Sequence, residues 1–226
     1  MADLAVILVT AAPEGVSNDM GAMVKVDGRE SVLRAMEMFT NREGIAQTVL
    51  VIDNANAEQI KQKIGSHLVF MGIKLVSGGA TWFEQLADAQ KVLSTDAKHV
   101  LVHDAARPSV PYADLDAIIA LAGKHPAVTL ALPVRGAIVA ASIVPGVGKP
   151  TSEKVAQWLS PTLYDRATFD AVVAAKKQPE SVQLIEGSPL NVRCGSTETG
   201  IVNAMIKLLP KPKMKAPSSP FEEAQW

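Results

Sequence analysis

Cysteine is nearly missing from this chain: Cys194 is the single one among 226 residues. One thiol excludes an internal disulfide framework and fits a reducing compartment. No base lies near it in sequence, so a buried, unreactive thiol is the expected role. Aromatic residues are scarce, with three Trp, two Tyr and five Phe, which excludes the stacking platforms that grip single-stranded nucleic acid. Neither sign of charge is in excess: 22 basic against 23 acidic side chains leave a formal net charge of −1. Nucleic acid and anionic membrane surfaces are therefore not expected partners. No apolar run approaches the roughly 20 residues that a membrane helix needs. Met1-Ala2-Asp3 puts no basic region before its first apolar run, so no secretory signal is read. The expected location is the cytoplasm.

What the chain does have is the material of one core. Its length suits a single α/β domain, expected over 1–209, and is short for two. Apolar runs at 4–9, 48–52, 73–76, 99–102 and 128–132 alternate with helical patterns, the βαβ rhythm of a largely parallel sheet. Val32, Leu33, Met36 and Phe39 fall at helical spacing behind Ser31, a candidate N-cap. Ile60 and Ile64 mark another helix, and Leu86, Gln90 and Leu93 a third. Leu115, Ile118, Ile119 and Ala122 form a stripe with Asp114 or its neighbour at its front. All of these stripes read as core.

Residues 134–163 break the rhythm. The stretch 137–144 reads as a strand, 145–150 as a turn and 154–159 as an antiparallel return. A hairpin with an apolar face cannot bury that face alone; it either packs on a second subunit or folds back on its own domain. From Pro210 onward, four prolines, Lys211, Lys213 and Lys215 cannot build a core, and 210–226 is expected to be a disordered tail.

The most informative string follows the fourth apolar run: Val100-Leu101-Val102-His103-Asp104-Ala105-Ala106-Arg107-Pro108. In open α/β sheets ligands settle beyond the carboxyl ends of strands, and Pro108 stiffens the exit. Asp104 and Arg107 there are either a site or a salt-bridged turn that closes the strand. His103 reads as a strand-end residue bonded to backbone, with a proton-carrying role as the alternative. His67, His99 and His125 have no metal-ligand spacing.

That string resembles the signature of the 2-C-methyl-D-erythritol 4-phosphate cytidylyltransferases and of their pentitol-phosphate cytidylyltransferase relatives. Weaker similarity runs from about 4 to 208, through Thr10-Ala11-Ala12, Gly28, Gly78-Gly79, Pro133-Val134-Arg135, Leu159-Ser160-Pro161 and Asn191-Val192-Arg193. The resemblance implies an α/β fold, a Rossmann-like, mostly parallel three-layer sandwich of the nucleotidyltransferase type. It also implies a protruding β-arm and a homodimer formed through it. The implied reaction moves a cytidylyl group from CTP to a sugar- or polyol-phosphate, releases pyrophosphate, uses Mg²⁺ and serves isoprenoid precursor synthesis. Carried over position by position, Asp104, Arg107 and Arg193 are the catalytic candidates. Ala11, Ala12, Gly15 and Gly79 would meet the nucleotide, and Lys154 and Arg135 the acceptor. Asp104 would hold the metal or orient a hydroxyl.

Several positions depart from that pattern. Where the family has a Gly-x-Gly-x-Arg loop and then Pro-Lys-Gln, this chain has Pro13, Glu14, Gly15, Val16 and Ser17, with Ala22 at the lysine position. Lys25 is a possible substitute. Trp82 and Gln85 stand where an arginine and a serine are expected, and 136–139 lack the usual polar groups. Losing one oxyanion donor removes about 3–4 kcal/mol of transition-state stabilisation. The expectation is a transferase with a degraded triphosphate site; the alternative is a silent homologue acting as a nucleotide-binding, regulatory or structural dimer.

Overall fold

β1 (Leu4–Val9) is buried along its whole length, as six consecutive apolar residues require of a strand covered on both faces. The computed structural model describes residues 3–16, 20–40, 42–136, 138–141, 148–195 and 199–209. After β1 come the short strands β2 (Lys25–Val26) and β3 (Arg29–Glu30), then α1 (Ser31–Glu37), β4 (Ile45–Asp53), α2 (Ala57–Phe70), β5 (Lys74–Gly78) and α3 (Trp82–Gln90). The second half runs β6 (His99–Asp104), α4 (Tyr112–Ile119), β7 (Ala127–Pro133), β8 (Ile138–Ala141), β9 (Gly148–Thr151), β10 (Ala156–Asp165), α5 (Arg166–Ala175), β11 (Gln183–Glu186) and α6 (Thr199–Leu208).

Seven strands form one sheet in the order β11-β7-β10-β6-β1-β4-β5. All neighbours are parallel except β10, which lies antiparallel to both β6 and β7. The period-two alternation of β1 divides its side chains between two cores. Leu4, Val6 and Leu8 pack with α1, α2 and α4 residues such as Met36, Ile64 and Leu115. Ala5, Ile7 and Val9 pack with Leu86 of α3 and Phe169 of α5. Each fully buried Leu, Ile or Phe contributes about 1.5–3 kcal/mol. The fold is thus a mostly parallel, Rossmann-like sheet with helices on both faces. Strand order reverses around β1, which has β4 on one side and β6 on the other, so the crevice for a ligand opens beyond the carboxyl ends of β1 and β6.

Three local expectations are corrected. Ser31 is the first residue of α1, not its cap; its hydroxyl donates to the Ala105 carbonyl at 3.2 Å, which ties α1 to the loop after β6. Asp114 lies in the first turn of α4 behind Pro111, and its carboxylate accepts the Ser188 N–H at 2.7 Å. The return strand of the arm is β9, paired antiparallel with β8, whereas the 154–159 stretch leads into β10 of the main sheet. The reason is hydrogen bonding. β10 satisfies the facing edges of both β6 and β7, which a free-standing ribbon would leave open. Ala137 and 142–147 of the arm, and the 210–226 tail, lie outside the described residues.

Candidate active site

β6 ends in His103 and Asp104, both with no solvent exposure. Asp104 gathers two hydrogen-bond donors and a second guanidinium. Its Oδ1 accepts the Ala106 N–H at 2.9 Å, and its Oδ2 lies 3.0 Å from Arg193 Nε and 3.7 Å from Arg107 Nε. Burial pushes the Asp104 carboxyl above the ordinary carboxylate range, while Arg193 and then Arg107 pull it back. Burial also lowers Arg107, and Asp104 opposes that shift. Arg107 donates from Nη1 to the Asn191 carbonyl at 2.8 Å, and the Asn191 carboxamide donates to the Ser160 carbonyl at 2.5 Å. The Asp104 N–H donates to Ser160 Oγ at 2.8 Å.

His103 completes the network. Its Nδ1 lies 3.0 Å from Ser160 Oγ and its Nε2 3.1 Å from the Arg107 carbonyl. A carbonyl can only accept, so Nε2 carries the proton and Nδ1 accepts from the serine hydroxyl. Burial lowers its pKa from 6.5 to about 3, and a base that weak does not draw the proton off Ser160. His103 is the strand-end residue bonded to backbone that its position suggested. Close packing locks the loop further. The Cys194 N–H donates to the Ala106 carbonyl at 2.6 Å, and a Cβ on Gly21 would stand 2.0 Å from the Cys194 carbonyl oxygen.

The first loop is shaped by Gln85. This side chain is completely buried, and its Oε1 accepts the N–H groups of Thr10 at 3.0 Å and Ala11 at 3.1 Å. Its Nε2 donates to the Gly79 carbonyl at 3.1 Å. The Gly79 N–H goes to Asp88 Oδ2 at 3.0 Å. Two backbone donors expected to meet a nucleotide, those of Ala11 and Gly79, are therefore spent on side chains of the protein itself. Ala12 is half-buried beside them. Gly15 adopts φ +76°, the left-handed conformation that suits glycine, within an exposed turn closed by Val16 N–H to the Pro13 carbonyl at 3.1 Å. Ser17 and Asn18 lie outside the described residues.

Asp104, Arg107 and Arg193 come together as the sequence suggested. Arg135 and Lys154 sit elsewhere, exposed at the base of the β8–β9 ribbon. Arg135 faces Glu186 at 3.8 Å, and Lys154 lines a hollow with Pro133, Gly136 and Val155. Lys25 is exposed on β2. Mg²⁺ demands one or two accessible carboxylates besides substrate phosphates and water. The donor set does not fit. Asp104, the carboxylate at the strand end, is fully buried and already answered by two guanidiniums. Among the described residues, no helix is long and apolar enough to cross a membrane.

Gln85, Ser160 and Asn191 are functional residues that the sequence does not single out. Ser160 and Asn191 carried a signal, as parts of motifs; Gln85 carried none beyond being the wrong residue for its position.

A family model described as 2-C-methyl-D-erythritol 4-phosphate cytidylyltransferase (IspD) matches residues 5–199. The 2-C-methyl-D-erythritol 4-phosphate cytidylyltransferase of Rhodopirellula baltica is 29% identical over 195 residues, covering 74% of this chain and 79% of that one. The protein of the same name from Clostridioides difficile is 25% identical over 193 residues, covering 77% and 80%. The crystal structure of 4-diphosphocytidyl-2C-methyl-D-erythritol synthase from Anaerococcus prevotii superposes with a TM-score of 0.72 at 19% identity, covering 90% of this chain and 96% of that one.

Proposed function

Because the chain belongs to the 2-C-methyl-D-erythritol 4-phosphate cytidylyltransferase family, we propose that it keeps the scaffold of that isoprenoid-pathway transferase but no longer grips a triphosphate. Cytidylyl transfer from CTP to a phosphorylated acceptor is then lost or drastically slowed. The observation that carries this reading is the Gln85 carboxamide, whose oxygen takes the Thr10 and Ala11 N–H groups. A phosphate needs such backbone donors and a local excess of positive charge. Here Pro13 supplies no N–H, and exposed Glu14 adds an anion. The cations nearest the strand end, Arg107 and Arg193, already answer the Asp104 charge. Asp104, Arg107 and Arg193 act in this reading as a brace that shapes the loop. No step is assigned to Mg²⁺.

Isothermal titration of CTP with Mg²⁺ checks the reading. We expect a dissociation constant no tighter than about 1 mM, equivalent to ~4 kcal/mol of binding, and no pyrophosphate when a polyol phosphate is added. Micromolar CTP binding with pyrophosphate release overturns it.

The same reading takes 1–209 as one cytoplasmic domain that dimerises through the arm. Two-stranded ribbons are marginal alone, and Val139 and Val155, on and beside the ribbon, are exposed. Sedimentation velocity should show a dimer; a concentration-independent monomer counts against the arm.

A further inference from the structure

α6 is more apolar than its place in the fold requires. Val202 is buried against Val26 of β2 and Cys194, with Ile206 partly buried beside them. At 3.6 residues per turn, Ile201, Ala204 and Leu208 share a separate strip about 60° wide on the helix surface. All three are exposed, Ile201 by 54% and Leu208 by 68%. Met205 and Leu209, half-buried, join that strip to the packed side. A surface helix normally turns charged groups away from its core face. Here Lys207, on the flank of the strip, is the one charged side chain of α6. Residues 200–209 lie past the stretch matched to the family, so the strip is no part of that likeness.

We propose that the chain's own segment 221–226 docks on this strip and covers it. Phe221 and Trp226 are the aromatic residues that follow α6, and each offers about 150–250 Å² to bury. Glu222 and Glu223 stand between them, opposite in charge to Lys207. The intervening stretch 210–220 holds four prolines, which do not continue a helix. It spans at most about 36 Å, whereas α6 is about 15 Å long. The segment therefore reaches back along the entire strip. A tether this short holds it at an effective concentration in the millimolar range, so modest affinity suffices. A second copy has no such advantage. Docking also presses α6 onto Cys194, whose N–H bonds the Ala106 carbonyl in the loop after β6.

Acrylamide quenching of tryptophan fluorescence in the full chain tests the docking. Trp226 is isolated in each chain as the difference from its own Trp226→Phe form. Ile201→Glu combined with Leu208→Glu, both at exposed positions, should raise quenching of Trp226 at least ~2-fold. Ala204→Glu is the second variant should that pair fail to melt cooperatively, and the same rise is expected. In the parent, quenching should be unchanged over about a hundredfold dilution, as a contact within one chain requires. Quenching of Trp226 that is equal in parent and variants overturns the proposal. So does protection that disappears on dilution, which would seat the segment on a second copy. None of these outcomes depends on whether CTP binds.

Discussion

Asp104→Ala should destabilise the fold by about 3–5 kcal/mol, the loss typical of removing one partner from a buried ion pair. The carboxylate answers Arg193 at 3.0 Å and Arg107 at 3.7 Å, and it caps the Ala106 N–H. Truncation takes the counter-charge from two buried guanidiniums and the acceptor from the buried Ala106 N–H. Chemical denaturation reads the loss as a shift in midpoint. Adding Arg193→Leu to the same chain should recover part of it, because one stranded charge goes. A loss under about 1 kcal/mol would mean that the carboxylate is not holding this loop. The experiment also separates two roles for Asp104. A residue poised for metal or substrate is commonly replaced with little harm to the fold, whereas a brace is not.

Acid should weaken the protein through His103. Its pKa is lowered from 6.5 to about 3 by burial, so between those two values the unfolded chain holds one proton more than the native one. Stability is then complete above about pH 6.5 and falls as pH drops, by about 1.4 kcal/mol per unit for this one group. Between pH 6.5 and 4.5 the contribution is about 2–3 kcal/mol. His103→Gln replaces the imidazole with a side chain that does not titrate. The difference in pH slope between parent and variant isolates the histidine from the carboxylates. Equal slopes would show that His103 charges without disturbing the native network.

The sheet was legible wherever a strand is buried on both faces. β1, β4, β6 and β7 are apolar runs because each is covered on both sides. β10 hides for the opposite reason. Gln157, Ser160, Pro161 and Thr162 interrupt its apolar character, and a proline inside a run argues against a strand, so its first residues read as the arm's return. β11, four residues of which Glu186 and Gln183 are charged or polar, offers too short a pattern. At the site, the motif after β6 named Asp104 and Arg107, and Arg193 followed from its own motif. What could not be read was their mutual capture, since residues 104 and 193 meet only through the folded sheet. Nor could a sequence show that Gln85, an apparent loss of a serine, turns inward and takes the loop's donors. Substitution is visible in a sequence; the hydrogen bonds it redirects are not.

The placement of β10 has a consequence for biogenesis. β6 and β7 are consecutive strands of the main sheet in the chain, yet they are not neighbours; β10 must slide between them. Until about residue 165 leaves the ribosome, the half-made sheet carries two raw edges that invite pairing with other chains. A transcript truncated ahead of β10 should therefore yield insoluble product, even though it encodes β1, β4 and β6 in full.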